Sequence, residues 1–262
     1  MISTMTIPLS SDSWVIPDWP VSAQVHALIT TRLGGVSAPP FDSLNLGMHV
    51  GDDPQAVAAN RRLLRTALPG EPCWLEQVHG TTVVEVTTAR PLTIPVADAT
   101  FTRLAAHVCA VMTADCLPVL FCDIGATVVA AAHAGWRGLQ AGILEATVSA
   151  LKVPASDLSV YLGPAISAQA FEVGDEVREA FITVDAEASA AFTPSPLIDD
   201  HKWLADIYLL ARLRLQRLGV THIHGGGECT FADPQRYFSY RRDGVTGRMA
   251  ALIWLSANDQ RD

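Results

Sequence analysis

Several short segments of this chain are apolar at every position and not at alternate ones. Val108 to Met112, Val119 to Cys122 and Met249 to Leu255 all read this way, and so does Thr127 to Ala132 after its first residue. A strand with one face in water alternates polar and apolar side chains, so a strand without alternation has to be covered on both faces. Val25 to Thr30, Thr82 to Val86 and Ser159 to Leu162 add further short, mostly branched segments of strand character. The covering layers come from helices. Asp52 and Asp53 before Pro54 form an N-cap with proline at the first helical position, and Val57, Arg61, Leu64 and Leu68 follow at helical spacing up to Gly70. Leu139, Ile143, Ala146, Thr147 and Ala150 mark a second helix, Asp175 to Phe181 a third. Trp203 to Leu218 reads as the clearest helix, with Arg212, Arg214 and Arg217 in its C-terminal turns and Gly219 after it. The expected fold class is α+β, with mixed β-sheets layered with helices. One domain spans residues 1–262, with 1–20 as an N-terminal extension. Strand order does not follow from the pattern, and Val184 to Asp200 reads as a surface excursion.

Charge and cysteine content narrow the function classes. Hydrophobic residues make up 49% of the chain and charged residues 17%, the balance of a folded globule. A net charge of −9 argues against a nucleic-acid partner, which needs a concentrated basic surface. Asp115 and Asp123 interrupt the longest apolar stretch, Val108 to Ala132, and Met1 to Pro20 lacks a basic segment followed by an apolar run. The expectation is a cytoplasmic protein with no membrane partner. Five cysteines without a CxxC pair do not suggest a disulfide framework. Cys73, Cys109 and Cys122 read as core thiols. Cys116 stands apart because Asp115 and Pro118 flank it at a bend.

Three segments place a metal-ligand candidate beside a turn: Glu76-Gln77-Val78-His79-Gly80, Met112 to Pro118 around Cys116, and Ala132-His133-Ala134-Gly135-Trp136-Arg137-Gly138. One thiolate and two imidazoles suit zinc and leave a coordination position for water or substrate. A cysteine beside an apolar strand, or an isolated histidine, is equally at home as a structural residue, and spacing alone does not decide. The turn at residues 135–138 opens a helix, whose free amide donors favour anions, and Arg137 adds a donor fork. Arginine-bearing loops at residues 30–47, with Arg32 and Asn45, and at residues 237–244, with Arg241, suit a small-molecule pocket; each also reads as a solvated turn.

These blocks, in this order, resemble the YfiH/laccase-domain family. The resemblance rests on Gln77-Val78-His79-Gly80, Thr113 to Val119, His133 to Gly138, Leu162 to Ile166, Phe238 to Gly244 and Thr246 to Ala250, and it covers Thr31 to Leu255. It implies an α+β fold and a zinc site, with copper as a second candidate metal, on His79, Cys116 and His133, which are then also the catalytic residues. It implies purine nucleoside phosphorylase activity on adenosine, inosine and methylthioadenosine, with adenosine deamination. Phosphate and a purine nucleoside are the expected partners, with Arg32, Asn45, Arg137 and Arg241 as candidate contacts and Asp115 as a candidate proton carrier.

Two alternatives accompany this reading. One is an amidase that edits UDP-MurNAc-L-Ser peptidoglycan precursors, with Cys116 as nucleophile and His133 as base, or with all three residues ligating zinc. The other is a copper-loaded polyphenol oxidase. Multicopper chemistry needs many histidines, usually in His-x-His pairs; this chain has eight histidines, and its His-x-His pair is His222-Ile223-His224.

Overall fold

The computed structural model of the chain describes residues 10–88, 93–196 and 201–257. Strands and helices follow one another as β1 (Trp14–Val15), β2 (Val25–Thr30), α1 (Pro54–Arg65), β3 (Pro72–Cys73), β4 (Val83–Glu85), β5 (Ala99–Thr102), β6 (Val108–Thr113), β7 (Leu117–Asp123) and β8 (Val129–Ala134). Then come α2 (Trp136–Ala141), α3 (Ile143–Leu151), β9 (Leu158–Leu162), β10 (Glu172–Gly174), α4 (Asp175–Ile182), β11 (Phe192–Pro194), β12 (Lys202–Ala205), α5 (Ile207–Arg217), β13 (His222–Gly225), α6 (Tyr240–Asp243) and β14 (Met249–Leu255).

The unbroken apolar runs become the inner strands of two stacked mixed sheets. The first sheet has the order β1-β2-β14-β6-β3 and the second β13-β9-β7-β8-β5-β4; a small third sheet has the order β10-β12-β11. Successive side chains of β6 point to opposite sides. Cys109 and Val111 pack with Ile29 and Ile253 against Leu120, Val129 and Ala131 of the second sheet. Ala110 and Met112 face outward, where Leu64, Leu44 and Leu46 cover them. The outer face of the second sheet, with Val119, Phe121, Ala130 and Ala132, lies under α3, α4 and α5. The result is a helix–sheet–sheet–helix sandwich of α+β class, and β6, β7, β8 and β14 are largely apolar because they are enclosed on both sides.

Several elements differ from expectation, each for a local reason. The helix expected over Trp203 to Leu218 begins only at Ile207. Lys202–Ala205 instead pairs with β10 and β11, and the Asp206 carboxylate caps the shorter helix by accepting the Leu209 N–H at 2.9 Å. The helix through Leu139 and Ala150 is two helices, because Gly142 at φ 104° breaks the axis between α2 and α3. α1 ends at Arg65 and not at Gly70, with Thr66 at its C-cap. The stretch from Val184 is no mere excursion: Ala188, Ala191 and Phe192 are buried, and β11 completes the third sheet. Its end, residues 197–200, lies outside the described residues. Among the described residues no helix is long and apolar enough to cross a membrane.

Candidate metal centre and active-site cleft

His79, Cys116 and His133 come together, their ligand atoms all within 4.8 Å of one another. The topology explains how. β7 and β8 are antiparallel neighbours with Pro118 opposite His133, so Cys116, the residue just before β7, and His133, near the end of β8, share one end of the second sheet. His79 reaches them from the turn before β4. Its Nε2 lies 3.7 Å from the Cys116 sulfur, and its ring meets that of His133 edge-on with centroids 4.8 Å apart. Both turns hold a non-glycine residue at positive φ: His79 at 59° and Asp115 at 91°. Such conformations persist only where surrounding bonds over-determine them.

Those bonds are visible. The Asp98 carboxylate, just before β5, accepts backbone N–H groups from Val78 (3.2 Å), His79 (2.9 Å) and Gly80 (2.6 Å). The same carboxylate meets His133 Nδ1 at 2.9 Å, and the Asp98 carbonyl accepts the His133 N–H at 2.7 Å. One fully buried acid therefore shapes the His79 turn and directs His133 Nε2 toward the centre. Gln77 fixes the other end of the turn, donating to the Met112 carbonyl at 2.8 Å and accepting its N–H at 2.7 Å. Asp115 is a brace of the same kind. Its carboxylate accepts Thr230 Oγ1 at 2.6 Å and the Arg241 N–H at 2.7 Å, while its carbonyl accepts the Ile166 N–H. Gly135 is required for space: a Cβ there would stand 2.6 Å from His79 Cδ2 and 2.9 Å from the Cys116 sulfur.

Electrostatics make these three residues a ligand set. Burial pushes the Cys116 thiol up, but His133 and then His79 overcome it and bring the pKa down to about 6. Burial disfavours a charged His133, yet the Cys116 thiolate and the Asp98 carboxylate raise it to about 9. Burial likewise opposes a charged Asp98, but the His133 ring and the N–H groups of Gly80 and Val78 hold it below the ordinary carboxylate range. A ready thiolate, two imidazoles turned toward it and a glycine-cleared space fit a single divalent ion, whose binding would displace the His133 proton. Among the described residues this is the one group of three or more histidine, cysteine or acidic side chains close enough to hold a metal.

The centre forms the floor of a cleft of about 490 Å³. Trp136, Ile166, Phe171 and Tyr240 give it an apolar and aromatic wall, and Arg137, Arg241, Arg248, His49 and Gln77 line the rest. Of the candidate contacts, Arg137 and Arg241 line this cleft and Arg32 and Asn45 do not. The Arg32 guanidinium donates to the carbonyls of Asp42 and Pro234, pairs with the Asp42 carboxylate at 3.3 Å and stacks on Phe238. Asn45 is fully buried and holds its own loop, bonding to Gly47, Asp52 and the Arg248 N–H. Sequence reasoning passed over Asp98, His49 and the role of Arg248. Asp98 shows only as an acid between alanines at the head of an apolar strand, and Arg248 lies inside a block that carried the family resemblance without a role of its own.

Comparison with known proteins agrees with this architecture. A family model described as multi-copper polyphenol oxidoreductase laccase matches residues 26–256. A purine nucleoside phosphorylase of Pseudomonas aeruginosa is 58% identical, the match covering 93% of this chain and 99% of the relative. The purine nucleoside phosphorylase YfiH of Escherichia coli is 55% identical over 92% and 98% of the two chains. Among solved structures, a Neisseria meningitidis protein superposes with a TM-score of 0.88 at 53% identity, covering 94% of this chain and 100% of the other. YlmD from Geobacillus stearothermophilus superposes with a TM-score of 0.84 at 33% identity, over 96% and 99%.

Proposed function

Because the chain belongs to the multi-copper polyphenol oxidoreductase laccase family, we propose that it works at this metal-competent centre as a zinc-dependent purine nucleoside phosphorylase. Two relatives more than half identical to it carry the phosphorylase name. The observation that carries the reading is the His79–Cys116–His133 centre at the floor of a cleft that offers aromatic faces beside guanidinium groups. A purine presents a flat face for Trp136, Phe171 and Tyr240, and phosphate presents oxygens for arginine donors. In phosphorolysis a phosphate oxygen bonds to the anomeric carbon as the bond from that carbon to the base nitrogen breaks. The electron pair leaves with the base, which takes up a proton. Holding both substrates in line is the main protein contribution to such a step. Zinc, when bound by the three residues, supplies Lewis acidity at the cleft floor. The substrates in this reading are inosine, adenosine and methylthioadenosine, and the same cleft deaminates adenosine with water. A multicopper oxidase is disfavoured because the described residues offer one metal centre. We take the cytoplasm as its compartment, where a free thiol such as Cys116 stays reduced.

The test is release of free base from inosine or adenosine by zinc-loaded protein, with and without phosphate. Release that needs phosphate and disappears in Cys116→Ala is expected. No release from zinc-loaded protein rejects the reading.

One observation favours a second reading. Cys116, His133 and Asp98 are ordered as nucleophile, base and orienting acid. That arrangement suits an amidase acting on a UDP-MurNAc-L-Ser precursor. It predicts phosphate-independent cleavage of such a substrate by metal-stripped protein.

A further inference from the structure

Several arginine residues outside the cleft are matched to acids. Arg214 meets Glu145 at 2.6 Å, Arg236 meets Glu228, and Arg242 meets Asp243. Arg248 is different. It lines the cleft and is half-buried, yet among the described residues no carboxylate pairs with it. Its Nη1 donates to the carbonyls of Thr246 and Gly247 at 3.0 Å each, and its Nε and Nη2 donate to no protein acceptor among the described residues. Burial disfavours its charge, and the groups that favour it are Cys116, Asp115 and Tyr240, all lining the cleft. A half-buried cation without a counter-ion is costly to keep unless an anion arrives.

The loop before α1 fixes this arginine in place. Asn45 Oδ1 accepts the Arg248 N–H at 2.9 Å, and Leu46 donates its N–H to the Arg248 carbonyl. A Cβ at Gly47 would stand 2.8 Å from Arg248 Cγ, so the glycine lets the loop lie against the arginine stem. The same loop delivers His49 to the cleft wall, where burial and then the charges of Arg248 and Arg61 hold the imidazole below its ordinary pKa. Arg248 and Arg61 thus place two positive charges around His49 on a chain whose net charge is −9.

We propose that Arg248, seated by the loop at residues 45–49 and flanked by His49, binds the inorganic phosphate co-substrate. This rests on the phosphorylase reading and deepens it. Arg241 and Arg137 are less suited. Both are exposed where Arg248 is half-buried, so solvent already serves their charge; Arg241 also gives Nη1 to the Glu172 carbonyl at 2.8 Å, and Arg137 is stacked on Trp136. Arg248 lies over the Tyr240 ring at 5.8 Å, so phosphate there leaves Trp136 and Phe171 to the purine. Asn45 and Gly47 act through Arg248 and are positioning residues.

The experiment uses zinc-loaded enzyme and two variants, Arg248→Gln and Arg248→Lys. Initial rates are measured over separate phosphate and nucleoside concentration series, and calorimetric titration with inorganic phosphate alone is run in parallel. Arg248→Gln should raise the phosphate KM by about tenfold or more while the nucleoside KM stays within about twofold, and Arg248→Lys should recover part of the loss. Gly47→Ala, which keeps the guanidinium and displaces its stem, should shift the phosphate KM in the same direction. Phosphorolysis with an unchanged phosphate KM in both Arg248 variants overturns the site and leaves the phosphorylase reading standing. Arg248-dependent phosphate binding without release of base from any nucleoside keeps the anion site and removes that reading. Binding of adenosine 5′-monophosphate without binding of inorganic phosphate overturns the proposal, since the site would then hold a substrate's own phosphoryl group.

Discussion

At the scale of single residues, Asp98 matters most after the three ligand candidates. It has no seat in the cleft wall, yet it orients His133 and holds the left-handed turn of His79. Replacing it by asparagine removes the charge and leaves the shape. Asp98→Asn should weaken zinc binding by about 10–100-fold, read by competition with a chromophoric chelator. It should also alter the thiol. In metal-stripped protein Cys116 has a pKa of about 6, so its labelling by iodoacetamide should rise through that pH and level off above it. A thiol pKa lowered by a neighbouring imidazolium climbs when that imidazolium is lost. Asp98 helps to keep His133 protonated, so the labelling midpoint in Asp98→Asn should move up toward the ordinary thiol range. Gly135→Ala should abolish tight zinc binding by crowding His79 and the sulfur, as metal analysis of the purified variant would reveal.

The ligand candidates were legible as residue types beside turns. Asp98 was not, because an acid between alanines carries no mark of the amide hydrogens it will meet. The arginines show the same limit. A sequence displays the guanidinium but not the direction of its fork, so Arg32, bound to its own loop, and Arg248, open to the cleft, look alike on paper.

At the scale of elements, the strand reading followed from enclosure. β14 spans Met249–Leu255 as expected, since an all-apolar run ends where its cover ends, and β2 spans Val25–Thr30. The short strands β3, β10, β11 and β12 left little trace, because a pair of two to four residues depends on its neighbour more than on its own side chains. Helix boundaries turned on single backbone positions. Gly142 sits at φ 104°, and the nearest atom to an added Cβ there is Glu145 Oε2 at 3.5 Å, so space is not the obstacle. Gly142→Ala should cost about 1–2 kcal/mol through backbone strain alone, measured by urea denaturation. Asp206→Ala should cost about 1 kcal/mol by uncapping α5, with zinc affinity unchanged.

At the scale of the whole molecule, stability resides in the seam between the two large sheets. Leu120 is fully buried there beside Val129 and Ala131, and Leu120→Ala should cost about 2–5 kcal/mol in equilibrium unfolding. The turn carrying His79 is fastened on two sides. Gln77 ties it to Met112 in the first sheet, and Asp98 ties it to the second, which also supplies Cys116 and His133. An ion held there stabilises the native chain by mass action, so chelation should lower the thermal midpoint by an amount that grows with the logarithm of the zinc affinity. It would also act as a clasp on the rim of the second plate, reaching the first through Gln77 and Met112. Fraying of that rim would have to release the metal in the same event.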